Sequence, residues 1–114
     1  MIDALGNGWV LPAELRHLAL SGDTQAVGQL IALFKEDVAA RLQVLRQAVI
    51  TGDLAAGGAQ AHSIQGSALQ MGALQLAATC RHIELDAAHH VTENLPRLLL
   101  EAEADFRLLQ TTMC

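Results

Sequence analysis

The sequence predicts an all-α fold: an antiparallel four-helix bundle, up-down-up-down, with a short additional helix at its N-terminal end. Twenty of the 114 residues are Ala and twenty are Leu, and both are strong helix formers. Aromatic residues, which favour strands, are rare: one Trp, two Phe and no Tyr. Apolar residues also recur at spacings of three and four, which is typical of helices that bury one face.

The N-terminal part of the chain divides into a tail and the first helix. We expect a tail over residues 1–11 and the bundle over residues 12–114, which is the size of one domain. Trp9 is expected to pack against the bundle. Pro12 suits the first turn of the short helix, which is expected to end near Leu20.

The second predicted helix is the longest. It begins after Asp23, a favourable N-cap residue, and ends near Thr51 and Gly52. Its apolar residues lie on a single stripe that should face the core. They are Val27, Leu30, Ile31, Phe34, Val38, Leu42, Leu45 and Val49.

Three further helices complete the predicted bundle. Asp53 caps the next helix, which runs to about Met71 and stops at Gly72. The segment "HHVTEN" ends the helix that follows, and the last helix starts near Asn94 with Pro96 in its first turn. The core positions of these last two helices are Leu76, Cys80, Ile83 and Ala87, then Leu98, Ala102, Phe106, Leu109 and Met113.

Composition argues against several classes of protein. Seven basic and twelve acidic residues give a net charge of −5, whereas nucleic-acid binders carry clustered positive charge, so we expect no nucleic-acid partner. Cys80 and Cys114 form no CxxC pair, which is typical of a reducing compartment and predicts a cytoplasmic protein. The N-terminal stretch lacks the pattern of a signal peptide. Apolar runs such as "LIALF" are too short to span a bilayer, so no membrane insertion is expected.

The stretch "AHSIQGSALQMGA", residues 61–73, is unusual for the middle of a helix because it contains a histidine, two serines and two glycines. Advancing each residue by about 100° gathers the apolar positions on one side and directs His62 outward. The predicted core positions are Gly57, Ala61, Ile64, Ala68 and Met71.

The outer face around His62 is small and uncharged. Its members are Ala55, Gly58, Ala59, Gln65, Gly66 and Leu69. A solvated helix face normally carries charged residues, and each Gly within a helix costs about 1 kcal/mol relative to Ala. Gly58 and Gly66 therefore indicate a face that is cleared for the close approach of a partner to His62.

The longer stretch "AHSIQGSALQMGALQLAATCRHIE" resembles the phosphoacceptor region of histidine-containing phosphotransfer (HPt) domains. Their pattern is a small residue, the His, any residue, an aliphatic residue, usually Lys, then Gly and Ser or Ala. A further Gly follows, and then a helix that often contains Cys-Arg. The matching positions are Ala61, His62, Ile64, Gly66, Ser67, Ala68, Gly72, Leu76, Cys80 and Arg81. The flanking helices extend the resemblance over about residues 12–112.

The resemblance implies a phosphorelay intermediate of two-component signalling. His62 would accept a phosphoryl group from a receiver-domain aspartate and pass it to another receiver, and a neutral imidazole is a good nucleophile for this step. Gln65 and Gly66 would lie beside the phosphoryl group. The residues expected to dock the partner are Ala55, Gly58, Ala59 and Leu69.

The expected partners are response-regulator receiver domains, with a hybrid sensor histidine kinase as a further candidate. By the resemblance, the receiver supplies the phosphoaspartate and the Mg²⁺. We therefore expect this chain to have no metal or cofactor of its own and no kinase activity, and we expect it to be a monomer.

One departure from the pattern keeps alternatives open. Gln65 stands where the family usually has a Lys, which offers the phosphoryl group a positive charge. The second hypothesis is therefore a degenerate HPt fold that docks a receiver or kinase without carrying phosphate, and the third is a plain helical interaction module. A dimerising sensor-kinase helix pair is disfavoured, because "HSIQGSAL" lacks the Pro that normally follows the acceptor His.

The other histidines are interpreted as ordinary surface residues; they are His17, His82, His89 and His90. A metal site could be imagined from Cys80, His82, Glu84 and His89. We reject it because Cys80 lies on a core stripe and the spacing matches no standard zinc pattern.

Overall fold

The structure, a computed structural model, describes residues 9–113, and over these residues the chain forms five helices and no strand. The all-α prediction is therefore confirmed. The helices are α1 (Ala13–Leu20), α2 (Thr24–Thr51), α3 (Leu54–Gln70), α4 (Leu74–Ala88) and α5 (Leu95–Thr112).

The four long helices form a bundle in which neighbours in sequence are neighbours in space. Helix α3 packs against α2 and α4, and α5 packs against both α4 and α2, which closes the bundle. Short connections join successive helices, so each runs antiparallel to the one before it. The short helix α1 packs against α2. The predicted four-helix bundle with an additional N-terminal helix is confirmed.

Polar caps and left-handed residues end the helices where the sequence predicts. Asp23 and Asp53 each accept a hydrogen bond from the backbone N–H three residues later, at 3.3 and 3.1 Å. Gly52 and Gly72 follow α2 and α3 with φ of 75° and 73°, a conformation that costs glycine little. Pro96 lies in the first turn of α5. These features fix the lengths of the helices and bring α3 alongside α4.

The core is formed by the predicted stripes, with one exception on α2. All the core positions predicted on α3, α4 and α5 are buried. On α2, Ile31 and Val49 are partly buried, but Leu30 is 42% exposed, so its placement in the core is wrong.

Leu30 lies in the N-terminal part of α2, which is much longer than the other helices. Helix α2 has 28 residues, or about 42 Å, whereas α3 to α5 have fifteen to eighteen residues. Because α3 starts directly after α2 ends, it covers only the C-terminal part of α2. Val27 lies even nearer the N-terminus of α2 and is buried, so the overhang of α2 alone does not expose Leu30. At about 100° per residue, Leu30 lies at the edge of the apolar stripe, and there it lines an open groove with Leu69, Gln70 and Met71.

The N-terminal end of the described chain packs on the bundle. Trp9 is partly buried against the core, and its indole N–H donates a hydrogen bond to the carbonyl of Met71 at 2.9 Å. Residues 1–8 of the predicted tail, and Cys114, lie outside the described residues. Within residues 9–113, no helix combines the length and the apolar character needed to cross a membrane.

Candidate functional site

His62 lies on the outer face of α3, as predicted. Its side chain is 72% exposed, whereas Ala61 and Ile64 beside it are fully buried. The burial of α3 on one side therefore holds the imidazole at the surface. This position makes His62 accessible to another protein.

Glu84 on α4 holds the imidazole of His62. Its Oε2 lies 2.8 Å from Nδ1 of His62, and its side chain is 32% exposed. A carboxylate accepts hydrogen bonds but cannot donate them, so Nδ1 is the donor. In the neutral ring, Nε2 then carries the lone pair. No other hydrogen bond of His62 is present among the described residues.

Sequence reasoning missed this pair and considered Glu84 only as part of a rejected metal site. A signal for it exists in the pattern of the two helices. His62 directly follows the core residue Ala61, and Glu84 directly follows the core residue Ile83. In an antiparallel helix pair, residues that follow the facing core positions lie on the same side of the interface. The two side chains could therefore have been expected to meet.

Two open grooves between α3 and α4 meet at His62 and Glu84, which line both. The first, which we call the alanine groove, is lined mainly by Ala55, Gly58, Ala59, Ala87, Ala88 and His90. The second, which we call the arginine groove, is lined by Gln65, Gly66, Leu69, Arg81, Leu85 and Ala88. All six residues predicted around His62 therefore lie in one groove or the other.

The two glycines of this face have different surroundings. A Cβ at Gly66 would meet no atom within 4 Å, so this position is open space beside His62. A Cβ at Gly58 would lie 3.6 Å from the Cβ of Ala87, because α3 and α4 approach closely there. Gly58 is accordingly only partly exposed and belongs in part to the helix packing. Leu69, by contrast, is 54% exposed.

Arg81 is the only Lys or Arg that lines either groove in the described part of the chain. It is exposed, and no hydrogen bond or ion pair of its side chain occurs with residues 9–113. The remaining charge near His62 is the carboxylate of Glu84. The arginine groove thus contains one acidic group, Glu84, and one basic group, Arg81, beside the imidazole of His62.

The other histidines have mixed surroundings. Nε2 of His82 lies 3.7 Å from Asp86, and Nδ1 of His89 lies 2.8 Å from the carbonyl oxygen of Leu85. His90, interpreted as an ordinary surface residue, lines the alanine groove with a left-handed φ of 57°. Sequence reasoning gave no reason to place it near His62, because it belongs to the connection after α4.

Cys80, matched in the family pattern, is a core residue. It is fully buried with a free thiol, and burial, together with the negative charge of Asp105, raises the pKa of that thiol to about 12. A thiol with this pKa is a poor nucleophile and a poor metal ligand. Among residues 9–113, no group of three His, Cys, Asp or Glu side chains is placed to hold a metal ion.

Comparisons with known proteins agree with this geometry. Residues 29–110 match the model of the Hpt domain family. A solved structure, histidine-containing phosphotransfer protein B (HptB) from Pseudomonas aeruginosa PAO1, is similar with a TM-score of 0.80 and 26% sequence identity, over 90% of this chain and 89% of that chain. No curated protein sequence is significantly similar. The chain belongs to the Hpt domain family, whose role is phosphotransfer in two-component signalling.

Proposed function

We propose that this chain is a phosphorelay intermediate that accepts a phosphoryl group on Nε2 of His62 from a receiver-domain aspartate and passes it to a second receiver. The observation that carries this proposal is the hydrogen bond of 2.8 Å between His62 Nδ1 and Glu84. In the neutral ring this hydrogen bond places the proton on Nδ1 and the lone pair on Nε2, on a side chain that is 72% exposed. An accessible nucleophile with a fixed tautomer is what a phosphoryl acceptor needs.

The transfer forms one bond and breaks one. The Nε2 lone pair attacks the phosphorus of the aspartyl phosphate, the N–P bond forms, and the P–O bond to the aspartate breaks, so that the aspartate leaves as a carboxylate. The proton on Nδ1 stays in its hydrogen bond with Glu84. Transfer to a second receiver is the reverse of this step.

Glu84 acts as a positioning residue in this step. It fixes the ring orientation and the tautomer of His62, and it stabilises the positive charge that the ring gains when Nε2 is phosphorylated. The family resemblance assigns the Mg²⁺ and most of the transition-state electrostatics to the receiver. This chain would accordingly need no metal of its own, and it would be a carrier and not a kinase.

The two grooves are suited to a receiver that must approach His62 closely. Ala55, Ala59 and the partly exposed Gly58 leave the alanine groove shallow. Gly66 and Leu69 offer open space and an apolar contact in the arginine groove. We therefore propose these residues as the docking surface for receiver domains, and for a hybrid sensor histidine kinase that carries one. We further propose that the chain works as a monomer in the cytoplasm.

Exposure to a panel of phosphorylated receiver domains, followed by intact-mass measurement, tests the proposal. One phosphoryl group should appear, and it should be labile in acid and stable in base, as an N–P bond is. His62→Gln should fold normally and accept nothing, whereas the control His82→Gln should accept as the unaltered chain does.

A second candidate is the docking module without phosphate, which Gln65 favours because the usual Lys is absent. For this candidate, receivers would bind with measurable affinity and His62 would stay unmodified. Phosphate on His62 excludes it.

A further inference from the structure

We propose that Arg81 binds the phosphoryl group on His62 and supplies, from α4, the positive charge that Gln65 lacks. This inference rests on the proposed function, because it requires His62 to be phosphorylated. It adds a specific phosphate contact from a helix other than the one that carries the acceptor.

The first observation is that the side chain of Arg81 has no hydrogen bond or ion pair within residues 9–113, whereas four of the six other Lys and Arg side chains there have one. Lys35, Arg41, Arg46 and Arg97 are each held by an acceptor on the bundle: the Met113 carbonyl, Asp37, Glu103 and Glu101, respectively. Arg81 makes no such contact within residues 9–113, although Glu84 lies one turn away on the same helix. Glu84 is engaged by His62 instead.

The second observation is the position of Arg81. It is three residues before Glu84, so both side chains lie on the same face of α4. It lines the arginine groove together with His62, Gln65 and Gly66. Gly66 has no side chain, and no atom lies within 4 Å of the place where its Cβ would be, so this part of the groove is open.

The third observation is the charge of the site after transfer. A phosphoryl group adds about 1.5 to 2 negative charges, next to the carboxylate of Glu84 and on a chain with a net charge of −5. Gln65 is neutral. A guanidinium presents parallel N–H donors that match two phosphoryl oxygens. Arg81 is the only described Lys or Arg in either groove that can provide them.

Phosphorylation of the isolated chain tests this contact without a partner protein. The donors are phosphoramidate, a small phosphoryl donor, and any receiver that loads the unaltered chain. The ³¹P signal of phosphorylated His62 is assigned by its loss in His62→Gln. We expect Arg81→Gln to shift this signal, and Arg81→Lys to restore it in part because the charge returns without the paired donors.

The partition of phosphate between receiver and His62 gives the size of the effect. Arg81→Gln should move it toward the receiver by about two- to fivefold at low salt, and less at high salt because screening weakens an exposed pair. Arg107→Gln is the matched control, because Arg107 also lacks an ion pair within residues 9–113 but lies on α5, outside both grooves. It should change neither quantity.

The outcomes separate this inference from the proposed function. If His62 takes phosphate from neither donor, the proposed function fails, and the inference fails with it. If His62 is phosphorylated but Arg81→Gln leaves the ³¹P signal and the partition unchanged, only the inference is overturned. The same holds if Arg81→Gln weakens receiver binding alone, because Arg81 would then contact the receiver and not the phosphoryl group.

Discussion

The alanine groove and the arginine groove are built by the same two helices and share His62 and Glu84, yet they differ in chemistry. The alanine groove is lined by small side chains and has no Lys or Arg in the described structure. The arginine groove contains Arg81, the amide of Gln65 and the open space at Gly66. We infer from this difference that the two grooves have different roles. The alanine groove would fit the surface of a docking receiver, and the arginine groove would bind the phosphoryl group by charge.

The largest expected effect on phosphotransfer comes from Gly66, and a change at Gly58 should act on stability instead. Gly66→Arg should leave thermal stability nearly unchanged, because the position is open and Gly is the poorer helix former. Phosphotransfer should fall at least about tenfold, or about 1.4 kcal/mol in the barrier, because the new side chain occupies the approach to His62. Transfer kinetics and thermal unfolding are measured on the same samples.

Gly58→Arg is the matched variant in the other groove. It should destabilise the fold by about 1–3 kcal/mol, because a Cβ at position 58 already touches Ala87 on α4 and a longer side chain would crowd this contact between the helices. Normal transfer in Gly66→Arg would show that the arginine groove is not on the approach of the receiver.

The next effect concerns Glu84, which both grooves share. Glu84→Ala should slow transfer by about tenfold, because a hydrogen bond to a charged group contributes about 1.5 kcal/mol. Glu84→Gln should lose less, since its amide oxygen can still accept from Nδ1. The ¹⁵N shifts of the His62 ring report the tautomer directly. A ring with an unchanged tautomer in Glu84→Ala would contradict the positioning role.

A smaller effect sharpens the role of charge in the arginine groove. Gln65 lies three residues after His62 on the same helix face. Gln65→Lys should shift the phosphoryl partition toward this chain by about two- to fivefold at low salt, and less at high salt. In the double variant with Arg81→Gln, the new Lys should restore most of the lost partition. If Lys has no effect at low salt, position 65 does not contact the phosphoryl group.

The smallest expected effect concerns Asp105, which lies outside both grooves and should change stability without changing phosphotransfer. Burial raises the pKa of the Asp105 carboxyl, although a hydrogen bond from Thr79 opposes the shift. Between the ordinary and the raised pKa the folded state binds more protons than the unfolded state, so stability falls as pH rises through this window. Above the raised pKa, the Asp105 carboxyl is ionised in the folded state, and burying its charge lowers the stability by the full amount.

Asp105→Asn removes that cost and can still accept the Thr79 hydrogen bond. At neutral pH it should stabilise the fold by about 0.5 kcal/mol, a small value because the side chain is partly solvated. The gain should vanish in acid, below the ordinary pKa of Asp. Denaturant unfolding at several pH values measures it, and phosphotransfer should be unaffected. If the stability gain of Asp105→Asn grew in acid, the pKa of Asp105 would be lowered in the folded state and not raised.

The sequence predicted the helices well because their determinants are local. Caps such as Asp23 and Asp53 act on the next three residues, and the apolar stripes repeat within one helix. Leu30 lies at the edge of its stripe, and its exposure depends on which neighbouring side chains cover that edge, which the stripe alone does not show.

The sequence predicted the part of the site on α3 but not the part on α4. The outward direction of His62 follows from the rotation of α3 alone, and the structure agrees. Its partner Glu84 and the groove residue Arg81 lie on α4, and their placement depends on the register between two helices. The apolar periodicity of each helix does not show how the two helices are aligned along each other. The role of Gly58 was not predictable for the same reason. Only the position of Ala87 on α4 shows that Gly58 is partly a packing residue.

The most direct test of the central claim is to find which nitrogen carries the phosphate. In ¹⁵N-labelled protein phosphorylated by a receiver, ³¹P coupling identifies the bonded ring nitrogen, and His62→Gln identifies the residue. The account predicts phosphate on Nε2 of His62, with Nδ1 still protonated and hydrogen-bonded to Glu84. Phosphate on Nδ1, or phosphate that persists in His62→Gln, would contradict it.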